Sequence, residues 1–355
     1  MLITTLRDGI SGSSFEESGT MSMIAPRQAD DLGHKLAALY APIAAELDES
    51  ARIFAAELGS HHHFVQQLVD HCADFKGKRL RPALVLLVAR ATGQVTDDHP
   101  VLAAVVEMIH TATLVHDDIL DESTVRRHAA TVNAEWGTES AVLMGDYLFT
   151  HAFHLAASLN TTWACRAIGR ATNFVCEGEM QQIHHRGNLD LDEESYFSII
   201  RGKTAELIAV SCQLGAQYAG ANESTVRAME EYGRDLGVAF QIADDVLDLM
   251  GEERATGKSL GTDLDKQKLT LPLIRALAVA DPLDSKQLFR LLADAGLENR
   301  REVRRLILQT DALRYSWTHA ERFTRRAASR LELLPESPSR DVLLALTTQV
   351  IRRDA

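Results

Sequence analysis

Residues 101–128 read VLAAVVEMIHTATLVHDDILDESTVRRH. Through the first sixteen positions apolar residues recur every three or four places, the period of one face of an α-helix. Then Asp117, Asp118, Asp121 and Glu122 crowd into six positions, followed by Arg126 and Arg127. Carboxylates four apart on a helix repel by a few tenths of a kcal/mol, so folding alone gains nothing from this crowding. Something else must offset it.

Outward from this stretch the same pattern continues. No proline occurs between Pro100 and Pro272. Because proline costs roughly 3 kcal/mol inside a helix, that span reads as a series of long, uninterrupted helices. AELIAVSCQLGAQYAG repeats the apolar period, and HHRGNLDLDEES, GANEST and GEERATGKSLGTD mark the breaks. No convincing run of strands is found. The reading is all-α: one large helical domain of ten or more helices, over residues 35–355. Residues 1–34, rich in Ser, Gly, Thr and acids, read as a disordered tail or an over-long gene start, with Met21 or Met23 as a later initiator.

Composition excludes several classes. Apolar residues are 46% and charged residues 25% of 355, an ordinary globular balance. The formal net charge of −13 argues against nucleic-acid binding through a broad basic surface. Cys72, Cys165, Cys176 and Cys212 form no CxxC pair and read as reduced thiols of a cytoplasmic protein. No signal peptide is evident. Tyr147–Cys165 lacks Asp, Glu, Lys and Arg, but His151, His154, Asn160, Thr161 and Thr162 make it too polar for a lipid-facing span.

A second acidic cluster lies in QIADDVLDLMGEERATGK, residues 241–258. Asp-Asp-x-x-Asp therefore occurs twice, as Asp117, Asp118, Asp121 and as Asp244, Asp245, Asp248. A single copy is as readily a solvated acidic helix end. Two copies, each ending an apolar helix, favour two helices facing each other around a cage of hard oxygen ligands, suited to Mg²⁺, Mn²⁺ or Ca²⁺ rather than zinc. Mg²⁺ commonly shares its shell with substrate phosphates. EF-hand spacing is absent, and Glu107-x-x-His110 is a lone copy of the motif that a di-iron bundle needs twice. His61, His62 and His63 read as a solvated loop.

Cationic motifs surround the acids. FKGKRLRP, residues 75–82, sets Lys76, Lys78, Arg79 and Arg81 around Gly77, suited to a phosphate-holding turn. Lys203 and Thr204 lie in RGKTAE, and Lys258 and Lys268 in GKSLGTDLDKQK.

In this order, GKRLRP, HDDILDESTVRR, GKTAEL, FQIADDVLD and GKSLGTDLDKQKLTLP resemble the trans-isoprenyl diphosphate synthases, or polyprenyl synthetases, over about residues 70–275. The resemblance is to the medium- and long-chain types, such as octaprenyl, heptaprenyl and solanesyl diphosphate synthases. It implies the isoprenoid synthase fold, a homodimer, and Mg²⁺-dependent head-to-tail condensation, with Mn²⁺ able to substitute. The six motif aspartates resemble the ligands of a trinuclear Mg²⁺ cluster on the allylic diphosphate (farnesyl or geranylgeranyl diphosphate). Arg126, Lys203, Thr204, Gln241 and Lys258 resemble its direct partners; Lys203 and Lys258 join the aspartates as catalytic residues. Lys78, Arg81, His110 and Arg127 resemble the isopentenyl diphosphate site. Without the resemblance His110 reads as a core histidine.

Thr113 and Ala112 lie four and five residues before Asp117. Relatives that make short chains carry bulky aromatics in this neighbourhood, so two small residues imply an open hydrophobic tunnel and a medium- to long-chain all-trans product, supplied to quinone side chains. That product would bring the protein to a membrane surface. The alternatives are a farnesyl or geranylgeranyl diphosphate synthase, a class I terpene cyclase (whose second metal motif usually differs from DDVLD), and a non-catalytic partner subunit.

Overall fold

The breaks in the apolar period become the ends of helices. The structure, a computed structural model, describes residues 38–73, 77–127, 129–250, 261–293 and 299–351. A 3₁₀ turn (Ala41–Ile43) leads into α1 (Ala44–Leu58), α2 (His63–Ala73), α3 (Leu80–Thr92) and α4 (Asp98–Leu120). A two-residue hairpin follows, β1 (Val125–Arg126) antiparallel to β2 (Ala129–Ala130). Next come α5 (Val132–Ala157), α6 (Trp163–His184), α7 (Glu193–Ile200), a π-helical turn (Arg201–Ala205), α8 (Glu206–Tyr218) and α9 (Glu223–Met250). The chain ends in α10 (Thr262–Asp265), α11 (Leu271–Val279), α12 (Pro282–Ala293), α13 (Arg300–Leu308), α14 (Ala312–Leu331) and α15 (Pro338–Ile351).

Local chemistry sets these boundaries. Thr131 caps α5 by accepting from Ala134 N at 3.1 Å, and Asp192 caps α7 by accepting from Ser195 N at 2.8 Å. Pro272, Pro282 and Pro338 fall in the first turns of α11, α12 and α15, where the missing N–H costs nothing. The apolar span from Tyr147 is not one helix, because α5 stops at Ala157 and α6 starts at Trp163 across the polar SLNTT.

The core is built on α3, α4, α8 and α9. Along α8 nine residues from Leu207 to Ala216 are buried, and in α3 every residue from Pro82 to Ala89 is buried. α8 packs against α3, α9, α6 and α4, while α4 runs along α5 and α9 along α14. A helix apolar on nearly all sides must sit at the centre. This places the polar ends of α4 and α9, with their aspartates, at one side of the bundle. No helix among the described residues is long and apolar enough to cross a membrane.

Candidate active site

The first aspartate motif is gripped by cations from four segments. Asp118 is 2% exposed and accepts from Arg126 of β1, whose Nε lies 2.8 Å from Oδ2 and whose Nη2 lies 2.7 Å from Oδ1. Asp121 accepts from Arg186 at 2.9 Å and Lys266 at 2.8 Å, with Lys268 at 3.5 Å. Burial alone would raise the pKa of Asp121, but Lys268, Lys266 and Lys203 outweigh it and hold the carboxyl below its ordinary value. Asp117 differs: burial pushes it up, only partly offset by Lys203 at 3.7 Å.

The second motif lies among further acids. Asp245 is 4% exposed and accepts from Tyr196 Oη at 2.6 Å and Gln241 Nε2 at 2.8 Å. Burial pushes its pKa well up, and the neighbouring Asp263 pushes it further. Asp248 accepts from Asp263 N at 3.1 Å, and its backbone carbonyl accepts from Gly261 N at 2.9 Å. Burial, then Asp248, raise Asp263 to about 7, while Lys268 and Lys266 pull the other way. Those two lysines therefore act on both clusters and tie the two helix ends into one site.

Lys203 and Thr204 enter on the π-helical turn, a local widening that α-helices show mainly at functional sites. Gly178 and Gly202 seat that turn: a Cβ on Gly178 would lie 2.4 Å from Lys203 N, and one on Gly202 would lie 2.7 Å from Phe174 O. Lys203 is thereby clamped between Glu179 and Asp117. Thr204 donates to Gln241 Oε1 at 2.8 Å, and Gln241 donates onward to Asp245. Lys203, Thr204, Gln241, Asp245, Asp263 and Lys268 line part of one cavity of about 110 Å³, which Leu191, Ile199 and Leu269 close on its apolar side.

Beside this cavity is a second cationic group. Gly77 lets the Arg127 guanidinium approach, since a Cβ there would lie 2.6 Å from Nη1. Burial pushes Arg81 down to about 10, Arg127 pushes the same way, and Glu107 opposes them. His110 is held well below its ordinary value by burial and by Arg81, Arg127 and Arg126, so its imidazole is neutral. Lys78 is exposed on the same turn. Anions of high charge are what such an arrangement can hold.

The sequence model of one family, described as Polyprenyl synthetase, matches residues 62–309. The chain belongs to the polyprenyl synthetase family. It is 35% identical over 302 residues to the octaprenyl diphosphate synthase of Escherichia coli K12, covering 84% of this chain and 93% of that protein. The crystal structure of a decaprenyl diphosphate synthase from Rhodobacter capsulatus superposes with a TM-score of 0.85 at 34% identity, covering 90% and 99% of the two chains. Polyprenyl synthase from Caulobacter crescentus CB15, complexed with calcium and isoprenyl diphosphate, also gives 0.85 at 34% identity, covering 90% and 98%. The bundle is the isoprenoid synthase fold, and the chain is a prenyltransferase.

Within this polyprenyl synthetase the structure gathers Asp117, Asp118, Asp121, Arg126, Lys203, Thr204, Gln241, Asp244, Asp245 and Asp248 at one end of the bundle. Lys258 lies outside the described residues, as do residues 1–34. Among the described residues no three His, Cys, Asp or Glu side chains stand together as a ready metal-ligand group. Asp118, about 100° round α4 from Asp117, turns inward to Arg126. Ala112 is fully buried on the Met108–Ala112–Val115 stripe, whereas Thr113, on the stripe of Asp117, is half-buried. His61, His62 and His63 are exposed, as expected.

Sequence reasoning passed over Glu179, Arg186, Tyr196, Asp263 and Lys266. Asp263 and Lys266 carried a signal, since TDLDKQK repeats the acid–base crowding of the main motifs. Glu179, Arg186 and Tyr196 have none, being single polar residues brought in by packing.

Proposed function

We propose that this prenyltransferase condenses an allylic diphosphate with successive isopentenyl diphosphate units to a medium- or long-chain all-trans polyprenyl diphosphate, of the kind quinone side chains use. The observation carrying the reading is the joining of both DDxxD helix ends through Lys266 and Lys268, with Lys203 and the Arg81–Arg127 group alongside. The relatives' names support it.

The donor set fits Mg²⁺, or Mn²⁺ in its place. All six motif groups are hard carboxylates, and Asp245 lies buried with Asp263 beside it, two acids that repel when both are ionised. Asp117, Asp121, Asp244, Asp245 and Asp248 would hold the metals, with Asp118 once released from Arg126. Bound metal would neutralise charge growing on the departing diphosphate. Around it, Lys203, Thr204, Gln241 and Arg126 would hold the allylic diphosphate. Lys78, Arg81 and Arg127 would hold isopentenyl diphosphate so that its double bond faces the allylic carbon. His110, neutral, can donate one hydrogen bond to the same group. The apolar cavity wall, Leu191, Ile199 and Leu269, would keep water from the allylic carbon as the diphosphate departs.

A homodimer fits the surface. Val142 (40% exposed) and Leu143 (68%) on α5, with Phe174 (37%), Met180 (61%) and Ile183 (40%) on α6, expose apolar side chains that a second copy would cover.

Incubation with Mg²⁺, isopentenyl diphosphate and farnesyl diphosphate tests the function. Products longer than geranylgeranyl diphosphate are expected on chromatography. A cyclic hydrocarbon would make the chain a cyclase, and unconsumed substrates an inert subunit.

A further inference from the structure

The protein holds each oxygen of Asp245 with its own donor. Tyr196 of α7 gives its hydroxyl to Oδ2 at 2.6 Å, across 49 positions of the chain. Gln241, one turn earlier on α9, gives Nε2 to Oδ1 at 2.8 Å. Gln241 Oε1 accepts in turn from Thr204 Oγ1 at 2.8 Å. One line of hydrogen bonds therefore runs from α7 through α9 to the π-helical turn, and all four side chains border the cavity that Lys203 also lines. At its inner end Tyr196 is 3% exposed and Asp245 4%.

From this arrangement we infer that Tyr196 is a positioning residue of the second aspartate motif, its hydroxyl setting the Asp245 carboxylate for a divalent cation. The inference rests on the reading of Asp245 as a metal ligand.

The kind of donor supports it first. Asp118 and Asp121 are held by arginine and lysine, whereas Asp245 takes its two bonds from uncharged groups. Neutral donors orient a carboxylate without offering it a counter-charge, and a divalent cation would supply one. An ionised carboxylate has about four acceptor sites. Tyr196 and Gln241 take one on each oxygen, which fixes the plane of the group and leaves acceptor capacity for a metal. Carboxylates that ligate metals are themselves commonly hydrogen-bonded, and losing such a partner costs about 10–100-fold in metal affinity or activity.

Placement supports it second. Tyr196 lies seven residues before Lys203, and α7 runs directly into the turn that carries Lys203 and Thr204. One continuous stretch of helix thus presents a donor to the metal motif and two groups to the proposed allylic diphosphate. The phenol is a stiff support for this purpose. Its ring is buried against Phe197, with centroids 5.4 Å apart, and a buried hydrogen bond meets little competition from water.

The test is Mn²⁺ titration of the full chain at a fixed concentration of inorganic diphosphate, with a protein-free titration subtracted. Free Mn²⁺ is read by electron paramagnetic resonance for wild type, Tyr196→Phe, Asp245→Asn and the double variant. Tyr196→Phe keeps the ring, deletes one oxygen and is expected to weaken Mn²⁺ binding about tenfold. Asp245→Asn should weaken it at least as much, and the double variant should match Asp245→Asn within about twofold. In turnover, Tyr196→Phe should need about tenfold more Mg²⁺ for half its maximal rate, while the maximal rate and the KM for isopentenyl diphosphate stay within about threefold. A hydroxyl that only braced the fold would lower Tm and leave Mn²⁺ affinity alone. Unchanged Mn²⁺ affinity in Tyr196→Phe, a further loss in the double variant, or a rate loss that Mg²⁺ does not restore would overturn the inference. Should Tyr196→Phe fail to fold, Asp245→Asn decides: Mn²⁺ affinity equal to wild type overturns it, because no ligand is left to position. Should the wild type bind Mn²⁺ yet form no prenyl product, the functional reading fails by itself, and the titrations still decide the role of Tyr196.

Discussion

Gly178→Ala separates helix propensity from site geometry. Inside a helix, alanine is better than glycine by about 0.5–1 kcal/mol, so propensity alone predicts a more stable protein. The structure predicts the opposite. The new Cβ would lie 2.4 Å from Lys203 N, 3.0 Å from Gly202 C and 3.1 Å from Ile199 O, all backbone atoms that cannot swing aside. Ordinary contact begins near 3.4 Å, so the π-helical turn must retreat from α6 by roughly 1 Å. Overpacking of this kind costs about 1–3 kcal/mol, which outweighs the propensity gain and should lower Tm by a few degrees. The same shift moves Lys203 off Asp117, and roughly 1 Å of misplacement can cost about 10²-fold in rate. Gly169→Ala, on the same helix, is the control. Its Cβ would meet only Phe153 Cε1 at 3.9 Å, so that variant should melt slightly higher and keep its turnover. Thermal melts and diphosphate release read both effects. A Gly178→Ala protein with raised Tm and near wild-type turnover would refute the reasoning. Lower Tm with intact turnover would show that α6 gives way instead of the turn.

Asp117→Ala or Asp244→Ala should lower turnover by orders of magnitude in a protein that still folds, since losing a metal ligand costs several kcal/mol in the transition state and each 1.4 kcal/mol is tenfold; near wild-type rates at limiting Mg²⁺ would contradict the two-motif site. Thr113→Phe should shorten the products at little cost in stability, whereas Ala112→Phe, in the closed core, should lower Tm through about 1–3 kcal/mol of overpacking; chromatography and melts distinguish them, and identical product lengths in wild type and Thr113→Phe would remove Thr113 from the product's path. Glu57 accepts from His151 at 3.0 Å and His154 at 2.9 Å, and although burial opposes it these histidines depress its pKa. A depressed carboxylate pKa stabilises the fold above the unfolded value and loses that contribution as pH falls through the folded one. Glu57→Gln should therefore destabilise the fold slightly at pH 6–7, by about 0.5–1 kcal/mol for so shallow a pair, with the difference fading as pH falls from the ordinary glutamate range through the depressed folded value; a difference that grows on acidification would contradict this.

How much was legible beforehand divides by range along the chain. The helices of the proline-free span were readable because the apolar period and the punctuation at GNLD, GANEST and GEERATG are local signals. The π-helical turn was not, since RGKTA looks like ordinary helix. Only the approach of Gly178 and Gly202, distant in sequence, shows why it is distorted. The aspartates were readable as motifs, yet their present partners were not: Arg186 and Lys266 reach Asp121 across 65 and 145 positions. For Ala112 and Thr113, spacing from Asp117 gives depth along α4, while neighbours decide which stripe of the helix faces open space.

These partners also answer what offsets the crowding of carboxylates before STVRRH. The chain brings its own cations: Arg126 to Asp118, Arg186, Lys266 and Lys268 to Asp121, and Lys203 to Asp117 and Glu179. Removing one partner of a buried pair costs about 3–5 kcal/mol, so a site this charged can fold without ligand only if nearly every charge has a mate inside the protein. On the proposed reading, metal and diphosphate bind by exchange. The aspartates would exchange arginine and lysine for metal while those side chains turn to the diphosphate, so that few charges would stand alone on either side of the equilibrium. Asp118 and Asp117 should then respond differently to truncation. Asp118→Ala leaves the Arg126 guanidinium without its buried mate and should lose stability as well as turnover. Asp117→Ala leaves Lys203 with Glu179 and should lose turnover alone. Equal stability losses in the two variants would mean that the pairs seen here are not what holds the ligand-free site together.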